Sequence, residues 1–214
     1  MSTRPLLNLD GYTDLPPGKI AAVVTFLEMR ERPRLRRRTA APGLRVAPLR
    51  GDLPRYRALF RRIGQDWLWF SRAVMPDESL DAILQAPAVE AFALTDGAAD
   101  LGLLELEFQP RRECELKYFG LVPEAIGTGA GRFLMNEAIR RAFRRPIRRL
   151  FLHTCSLDHP AALPFYLRSG FVAYRRAVEV ADDPRLTGAL PAEAAPQVPV
   201  IGAPKRARRR PARP

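Results

Sequence analysis

Two segments of the chain combine residue types that could bind a phosphate and move a proton. The first, residues 115–131, runs from Glu115 through a strand-like apolar stretch into a turn with three alternating glycines. A strand, a glycine-rich turn and a helix start present free backbone N–H groups to an anion. The second, residues 159–171, places Tyr166 on a helix just before a Gly-Phe pair that ends it. Together the segments predict a protein that binds a pyrophosphate and protonates a leaving group.

The glycines of the first segment, Gly127, Gly129 and Gly131, admit a second interpretation when taken alone, a turn that packs a helix against a strand. Two familiar phosphate motifs do not fit them. A Walker loop requires Gly-Lys-Ser or Gly-Lys-Thr, whereas Gly131 is followed by Arg132 and Phe133. A dinucleotide fingerprint requires an acidic residue at the end of the next strand, which the spacing after Gly131 does not clearly provide.

The elements that must position these segments follow from the spacing of apolar residues. Alternating and β-branched stretches predict strands over residues 19–29, 44–49, 89–94, 101–108, 113–122, 148–154 and 171–180. Helical spacing and capping residues predict helices over residues 53–63, 80–85, 131–143 and 160–169. This order predicts an α/β (α+β) fold with a mixed sheet.

The composition predicts one folded domain with flanking segments, because 214 residues with 47% hydrophobic content can bury one core. We expect residues 1–43 to be an N-terminal extension with one strand and a basic linker. We expect residues 44–180 to be the domain, and residues 181–214 to be a disordered tail rich in Pro, Ala and Arg. No apolar run reaches the roughly 18 residues of a membrane span and no secretory signal is evident, so a cytoplasmic location is expected.

The formal net charge of +12 favours anionic partners such as nucleic acid, membrane surfaces or phosphorylated ligands. Nearly all the basic residues are Arg, so biased codon usage with a solvated basic surface is the alternative explanation, and the one we favour. The tail from Lys205 to Pro214 is basic but has no aromatic residue for base stacking. We therefore expect it to aid solubility, with neither nucleic acid nor membrane as a partner.

The order of these motifs resembles the GCN5-related N-acetyltransferase (GNAT) superfamily over residues 44–178. The second segment, His159-Pro-Ala-Ala-Leu-Pro-Phe-Tyr-Leu-Arg-Ser-Gly-Phe171, is similar to the family consensus Asn-Pro-x-Ala-x-x-x-Tyr-x-x-x-Gly-Phe. The resemblance implies a mixed, mostly antiparallel, twisted sheet flanked by helices, with a splayed central strand pair. It also implies direct acetyl transfer from acetyl-CoA to an amine of a small-molecule or peptide acceptor, without a metal.

The resemblance also assigns residues to acetyl-CoA. A strand end would pair with the pantetheine arm, the glycine loop would hold the pyrophosphate, and the second motif would contact the coenzyme. Two positions depart from the family pattern: Ile126 replaces a frequent Gln or Arg, and His159 replaces Asn. The expected coenzyme residues are Phe119, Gly120, Leu121, Val122, Ile126, Gly127, Thr128, Gly129, Ala130, Gly131, Arg132, His159, Ala162 and Tyr166.

Acid–base roles follow from the same resemblance. Tyr166 would sit near the sulfur as the general acid, although a tyrosine packed in the core is the alternative. Glu115 resembles the base position of the histone-acetylating branch, although a solvated or ion-paired residue is equally consistent with its place. Glu105 and Glu107 on the preceding strand are further candidates. A backbone N–H near Leu121 would polarise the acetyl carbonyl.

The acceptor wall is expected between the first two helices, where an aromatic cluster suits an amine or a ring; a hydrophobic lid packed on the sheet is the alternative. His153 and His159 lack further ligands at metal spacing, and Cys155 has no partners for a nucleophilic role. Other interpretations remain a non-catalytic acyl-CoA-binding module and a polyanion-binding protein. The expected substrate-binding residues are Trp67, Trp69, Phe70, Arg72 and Glu107.

Overall fold

A seven-stranded sheet forms the centre of the molecule, in a computed structural model that describes residues 7–35 and 43–202. The strands are β1 Lys19–Met29, β2 Arg45–Pro48, β3 Val89–Thr95, β4 Asp100–Gln109, β5 Glu113–Leu121, β6 Arg149–Cys155 and β7 Val172–Asp182. The helices are α1 Leu53–Gly64, α2 Ser71–Val74, α3 Asp77–Gln85, α4 Ala130–Ala142 and α5 Ala162–Arg168. Residues 1–6, 36–42 and 203–214, including the basic tail and part of the expected linker, lie outside the described residues.

The strand order is β2-β3-β4-β5-β6-β1-β7, and every neighbouring pair is antiparallel except β5 and β6. Those two strands run parallel and pair only from Glu113 to Glu115, opposite Arg149 to Phe151. Beyond these residues they part, while β5 stays paired with β4 up to Leu121. This arrangement confirms the mixed, mostly antiparallel sheet flanked by helices.

Helices cover both faces of the sheet. On one face α1 buries its apolar stripe, and Phe60 lies 5.0 Å from the ring of Tyr118 on β5. Asp52 caps this helix, since its Oδ1 accepts from the N–H of Arg55 at 3.2 Å. On the other face α4 buries a stripe of its own, formed by Leu134, Met135, Ala138, Ile139 and Ala142.

The strand predicted over residues 19–29 is β1, and its position differs from that of a peripheral extension. It pairs antiparallel with β6 on one edge and with β7 on the other, with Phe26 opposite both His153 and Arg175. Because both edges are bonded, β1 is an interior strand of the sheet. The sheet therefore extends beyond the expected domain of residues 44–180.

The segment after β7 also differs from the expected disordered tail. Residues 183–202, called the C-terminal strap below, fold back against the aromatic loop after α1. Arg185 is 7% exposed, pairs with Asp183 at 2.7 Å, and donates to the carbonyls of residues 194, 195 and 198. Leu190 packs here against Leu68, and Gln197 donates to the carbonyl of Asp66 at 2.6 Å.

A buried guanidinium holds the C-terminal strap together. Arginine is mostly a surface residue, but Arg185 is buried and donates hydrogen bonds to backbone carbonyls of the strap. Its hydrogen bonds hold the pKa of the Asp183 carboxyl below its usual range. Within the described residues, no helix has the length and apolar character to cross a bilayer.

We predict that Arg185→Ala lowers the melting temperature by roughly 10 °C, because it leaves the Asp183 carboxylate buried without its cation. Thermal unfolding followed by circular dichroism measures the effect. Leu186→Ala is the matched control, since Leu186 is 49% exposed and should shift the melting temperature by no more than about 2 °C. Equal melting temperatures for the two variants would contradict the role given to Arg185.

Candidate functional site

The parting of β5 and β6 opens a cavity of about 300 Å³ through the middle of the sheet. Its walls are residues 116–121 of β5 and two side chains of β6, His153 and Cys155. Residues 67–71 close one side, and α5 contributes Ala162 and Tyr166 on the other. Many of these side chains are aromatic or apolar with few polar groups among them, which is the usual character of a ligand site.

One edge of β5 presents unpaired backbone groups to this cavity. The N–H of Val122 donates to the carbonyl of Leu101 at 3.0 Å, and Val122 is fully buried. In an antiparallel pair, successive residues direct their backbone groups to opposite sides. The backbone groups of Leu121 and Phe119 therefore point away from β4 and into the gap.

The turn before α4 exposes a cluster of backbone donors. Gly129 caps the helix at φ 97°, and Gly127 has φ 83°, both in the left-handed region that favours glycine. Thr128 fixes the turn, because its Oγ1 donates to the carbonyl of Ala125 at 2.8 Å and accepts from the N–H of Ala130. Among the described residues, no acceptor pairs with the N–H groups of residues 127, 128, 129 and 131. Such a concave set of N–H groups at a helix start binds anions.

The residues beside this turn differ in exposure. Ile126 is 45% exposed and lines the cavity, so its apolar side chain faces the space next to the turn. Arg132 lies against α5, where its Nη1 donates to Ser169 Oγ at 3.0 Å and its guanidinium lies 5.0 Å from the ring centre of Phe165. Gly131 lies beside the same contact, and a Cβ there would meet Phe165 Cε2 at 3.7 Å, an ordinary van der Waals distance.

Tyr166 lies in the wall formed by α5. Its ring packs edge-on against Phe119 of β5 at 6.1 Å and against Phe171 at 6.1 Å. Burial and, to a smaller extent, the carboxylate of Asp158 raise the pKa of Tyr166 above its ordinary value. The phenol therefore keeps its proton throughout the neutral range.

His159 lies at the start of the same segment. Its Nδ1 accepts from the N–H of Ala161 at 3.0 Å, and its ring meets Trp67 edge-on at 5.0 Å. His159 and Ala162 both line the cavity.

Glu115 lies where β5 and β6 begin to part, and it is 5% exposed. Its carboxylate accepts from Gln109 Nε2 at 2.9 Å and from Lys117 Nζ at 3.1 Å. His153 Nδ1 lies 3.7 Å from the other carboxylate oxygen. Glu115 does not itself line the cavity, whereas Lys117 and His153 do. The carboxylate thus lies behind two cavity-facing groups.

Lys117 is held as a cation by its surroundings. Although burial alone would lower its pKa, the carboxylates of Glu115 and Glu107 raise that pKa above the ordinary value. Glu107 lies 3.7 Å from Lys117 Nζ and does not line the cavity. Two carboxylates and one ammonium leave this cluster with one net negative charge beside His153.

The aromatic side of the cavity contains Trp67, Trp69 and Phe70, three of the expected substrate-binding residues. Trp69 is fixed by Asp158, whose Oδ1 accepts from the indole Nε1 at 3.1 Å. The other oxygen of Asp158 accepts from Thr154 Oγ1 at 2.7 Å and from the N–H of Cys155 at 2.8 Å. These bonds tie the aromatic loop to the end of β6.

Arg72 and Glu105, like Glu107 and Glu115, do not line the cavity. Arg72 is 7% exposed and donates to Glu105 at 2.7 Å, and Glu105 also accepts from the hydroxyl of Tyr56. Both members of this pair are buried. The guanidinium carbon of Arg72 lies 5.5 Å from the centre of the Tyr118 ring. The ion pair between Arg72 and Glu105 lies in the wall beside the cavity, and its ligand role stays a prediction.

Cys155 lines the cavity as an unreactive thiol. Burial, with a smaller contribution from Asp158, raises its pKa to about 11, so the thiolate is scarce at neutral pH. The described residues contain no group of three or more His, Cys, Asp or Glu that could hold a metal ion.

Sequence reasoning did not identify His153, Asp158 and Glu179 as site residues, and all three line the cavity. Asp158 left a detectable signal, because an Asp in the turn after a strand commonly accepts local N–H groups. His153 and Glu179 left none. Their positions at the cavity depend on β1, which no local pattern places between β6 and β7.

Residues 59–171, just over half of the 214-residue chain, match the sequence model of the acetyltransferase (GNAT) family. The match begins within α1 and ends just after α5, so it includes the glycine turn and both strands of the gap. No curated protein matched the sequence.

Solved structures share the fold at low sequence identity. A GCN5-related N-acetyltransferase from Sphaerobacter thermophilus superposes with a TM-score of 0.56 at 14% identity, over 78% of this chain and 52% of that one. An aminoglycoside acetyltransferase from an uncultured soil metagenomic sample, solved with trehalose, gives 0.55 at 17%, over 65% and 95%. The ribosomal-protein-S18-alanine N-acetyltransferase from Escherichia coli gives 0.52 at 17%, over 65% and 94%. This chain thus spans about half the length of the Sphaerobacter protein.

We predict that Gly120→Ala lowers the free energy of unfolding by about 1–3 kcal/mol, because the added methyl group overpacks the contact of β5 with α1 and Trp69. The added Cβ would lie 2.4 Å from Ile63 Cγ2 and 3.2 Å from Trp69 Cη2. Denaturant titration monitored by tryptophan fluorescence measures it. Gly202→Ala is the control, since a Cβ there meets only Leu186 Cδ2 at 3.9 Å. Two variants of equal stability would contradict the close approach at Gly120.

Proposed function

This chain belongs to the acetyltransferase (GNAT) family, and from that premise we propose that it transfers the acetyl group of acetyl-CoA directly to an amine. The observation that carries the proposal is the gap between β5 and β6. It has a cluster of free N–H groups beside one end and an aromatic wall with acidic residues on the other. A donor and an acceptor would approach each other from opposite sides of the sheet within this gap.

The residues present fit acetyl-CoA in two respects. The N–H groups of residues 127, 128, 129 and 131 would hold the pyrophosphate, helped by the positive end of α4. The free edge of β5 at Phe119 and Leu121 would pair with the amide-bearing pantetheine arm. When bound, acetyl-CoA supplies an acetyl group activated as a thioester.

Acetyl transfer develops negative charge on the carbonyl oxygen, and a donor aimed at that oxygen lowers the barrier. The N–H of Leu121 points into the gap and is held in place by the pairing of β5 with β4. We assign this N–H to the oxyanion. It is fixed before the substrates arrive, so no reorganisation cost arises during the reaction.

The acceptor amine must lose a proton to become a nucleophile, and His153 is the group positioned to take it. A neutral imidazole has a ring nitrogen that can accept a proton, which suits a general base. Glu115, expected from the resemblance to be the base, is separated from the cavity by Lys117 and His153. Its carboxylate stabilises the imidazolium that forms on His153, so we assign Glu115 as a positioning residue.

Tyr166 is assigned to the leaving sulfur. Because its pKa is raised, it remains a phenol and donates a hydrogen bond to sulfur as negative charge develops there. The N–C bond forms, the C–S bond breaks, and the departing thiolate is protonated through Tyr166. Cys155 takes no covalent part because it is held as a thiol.

The acceptor side favours a cationic amine. Asp158 and Glu179 line the cavity beside Trp67, Trp69 and Phe70, and aromatic faces attract cations. The two acetyltransferases of similar fold are named for an aminoglycoside and for an alanine of ribosomal protein S18. The acidic and aromatic lining favours a compact cationic acceptor, a polyamine or an amino sugar, over a protein.

The function is tested by isothermal calorimetry with acetyl-CoA together with thiol release in the presence of an amine panel. The panel contains aminoglycosides, polyamines, lysine peptides and peptides with a free N-terminus. Binding of acetyl-CoA with amine-dependent thiol release supports the proposal. Acetyl-CoA binding without thiol release for any amine favours a non-catalytic acyl-CoA-binding module, and absence of binding contradicts both.

We predict that Tyr166→Phe lowers kcat by roughly 10²-fold, because the sulfur loses its proton donor. Calorimetric affinity for acetyl-CoA should remain unchanged, since the ring that packs on Phe119 is kept. The wild type should show no loss of kcat from Tyr166 ionisation below about pH 10. Cys155→Ser is the control and should retain turnover. Normal kcat in Tyr166→Phe would rule out its assigned role.

We predict that His153→Gln lowers kcat/KM by roughly 10²-fold, because the acceptor amine loses its general base. Steady-state kinetics with an amine from the panel measures the effect. Glu115→Gln should lower kcat/KM by less, because the imidazole of His153 is kept. The second histidine provides the control: His159→Gln should change the KM for acetyl-CoA and keep kcat. Normal kcat/KM in His153→Gln would show that another group is the base.

A further inference from the structure

Strand β7 forms one edge of the sheet, and its outer side is unpaired within residues 7–35 and 43–202. It is 11 residues long, and every residue except Ala177 and Ala181 is exposed. Unpaired N–H and C=O groups on a long exposed edge form a template for another strand.

The charges of β7 change sign about its centre. Arg175 lies two residues before Ala177, and Glu179 lies two residues after it. Arg175 stacks over the ring of Phe26 at 3.6 Å. Neither Arg175 nor Glu179 forms an ion pair within the described part of the chain. The strand is therefore complementary in charge to a reversed copy of itself.

The backbone allows the pairing that the charges require. The N–H of Asp183 donates to the carbonyl of Gly18, so odd-numbered residues of the adjoining part of β7 direct their backbone groups towards β1. The even-numbered residues 176, 178 and 180 consequently direct theirs outward. A two-fold axis at Ala177 sets Arg176 opposite Val178 of a second copy, and both of these present outward groups.

Other registers lose the complementarity. An axis at Arg176 would place that arginine opposite its own copy, which is unfavourable. An axis at Val178 would place Arg175 and Glu179 opposite alanines. Only the Ala177 register, of these three, sets Arg175 opposite Glu179 on both sides of the axis.

Exposed valines lie on the face of β7 opposite Arg175 and Glu179. Val178 is 46% exposed and Val180 is 51% exposed, and Val23 of β1, opposite Val178, is 45% exposed. Pairing about Ala177 would bring two such groups of valines together on one face of a continuous sheet. Burial of these side chains would remove apolar surface from water, which favours association.

We propose that β7 is a homodimer interface, in which a second copy of this chain pairs antiparallel with it about Ala177. Such a two-fold contact is isologous, because the same surface serves both subunits. Glu179 lines the cavity, so Arg175 of the second copy would lie at the acceptor side of the site. The dimer would in this way place one residue of each chain beside the cavity of the other.

The first test is the mass of the full chain in solution, measured by sedimentation equilibrium across the micromolar range. The wild type should approach twice the chain mass. Arg175→Glu and Glu179→Arg should each be monomeric, because each sets like charges opposite each other. The double variant with both changes should recover the dimer, since it restores opposite charges.

The matched control is Arg176→Glu, which removes the same charge but faces Val178 in the proposed register, so it should remain dimeric. Circular dichroism and melting temperature confirm that every variant is folded. A wild type that stays monomeric, a dimer that both single variants retain, or a double variant that stays monomeric would overturn the proposal.

The second test determines the position of the two-fold axis along β7. In the proposed register Ala177 faces its own copy as a non-hydrogen-bonded pair, where Cα atoms are about 4.5 Å apart. That separation lies within the range that a disulfide spans. Ala177→Cys, in a Cys155→Ser background, should form a covalent dimer on mild oxidation, whereas Ala181→Cys should not. Absence of a cross-link in Ala177→Cys, in a protein that is otherwise dimeric, would overturn the register.

Discussion

The limited pairing of β5 with β6 is the constraint on which the rest of the molecule depends. Three residue pairs join β5 and β6, and beyond them no ladder connects these two strands. Buried backbone groups without partners are costly, so such a gap persists only if its surroundings hold it open and a ligand or water satisfies it. Antiparallel pairing on the far side of each strand holds β5 and β6 apart.

The contacts around the gap stabilise the separation of β5 and β6. Trp69 packs over Gly120 and is fixed by Asp158, which joins the loop after α1 to the end of β6. The C-terminal strap then buries Leu68 of the same loop. Glu105 and Arg72 form an enclosed ion pair beneath Tyr118, where the low exposure of both groups makes their mutual bond necessary. The aromatic wall is therefore rigid although much of it lies in loops.

Local patterns predicted the parts of this protein that are determined locally. The glycine turn, the capped α1 and the apolar stripe of α4 depend on neighbours within a few residues, and they occur where the sequence indicated. Tyr166 and both tryptophans line one cavity, and Ile126, which precedes the glycine turn, lines it too. Their chemical roles stay predictions.

The features that the sequence did not reveal depend on distant contacts. Glu115 was expected at the reaction centre, but its neighbours Lys117, Gln109 and His153 are known only once the strands are placed. The sequence does not distinguish Arg185 from other basic residues of the tail, because its hydrogen-bond partners appear only in the folded chain. Strand periodicity identifies β1 but cannot state which strands it will join.

The position of β1 has a consequence for the order in which the molecule can assemble. Its first residue, Lys19, pairs with Asp182 at the end of β7, so the ladder joins residues from nearly opposite ends of the described chain. Pairings so distant in sequence slow folding, because the entropy of closing long loops is spent before the contacts form. During synthesis the ribosome delivers β1 long before β6 and β7 exist. Strand β1 therefore stays unpaired until β6 and β7 have been made, and the cavity is completed only after these late segments have emerged.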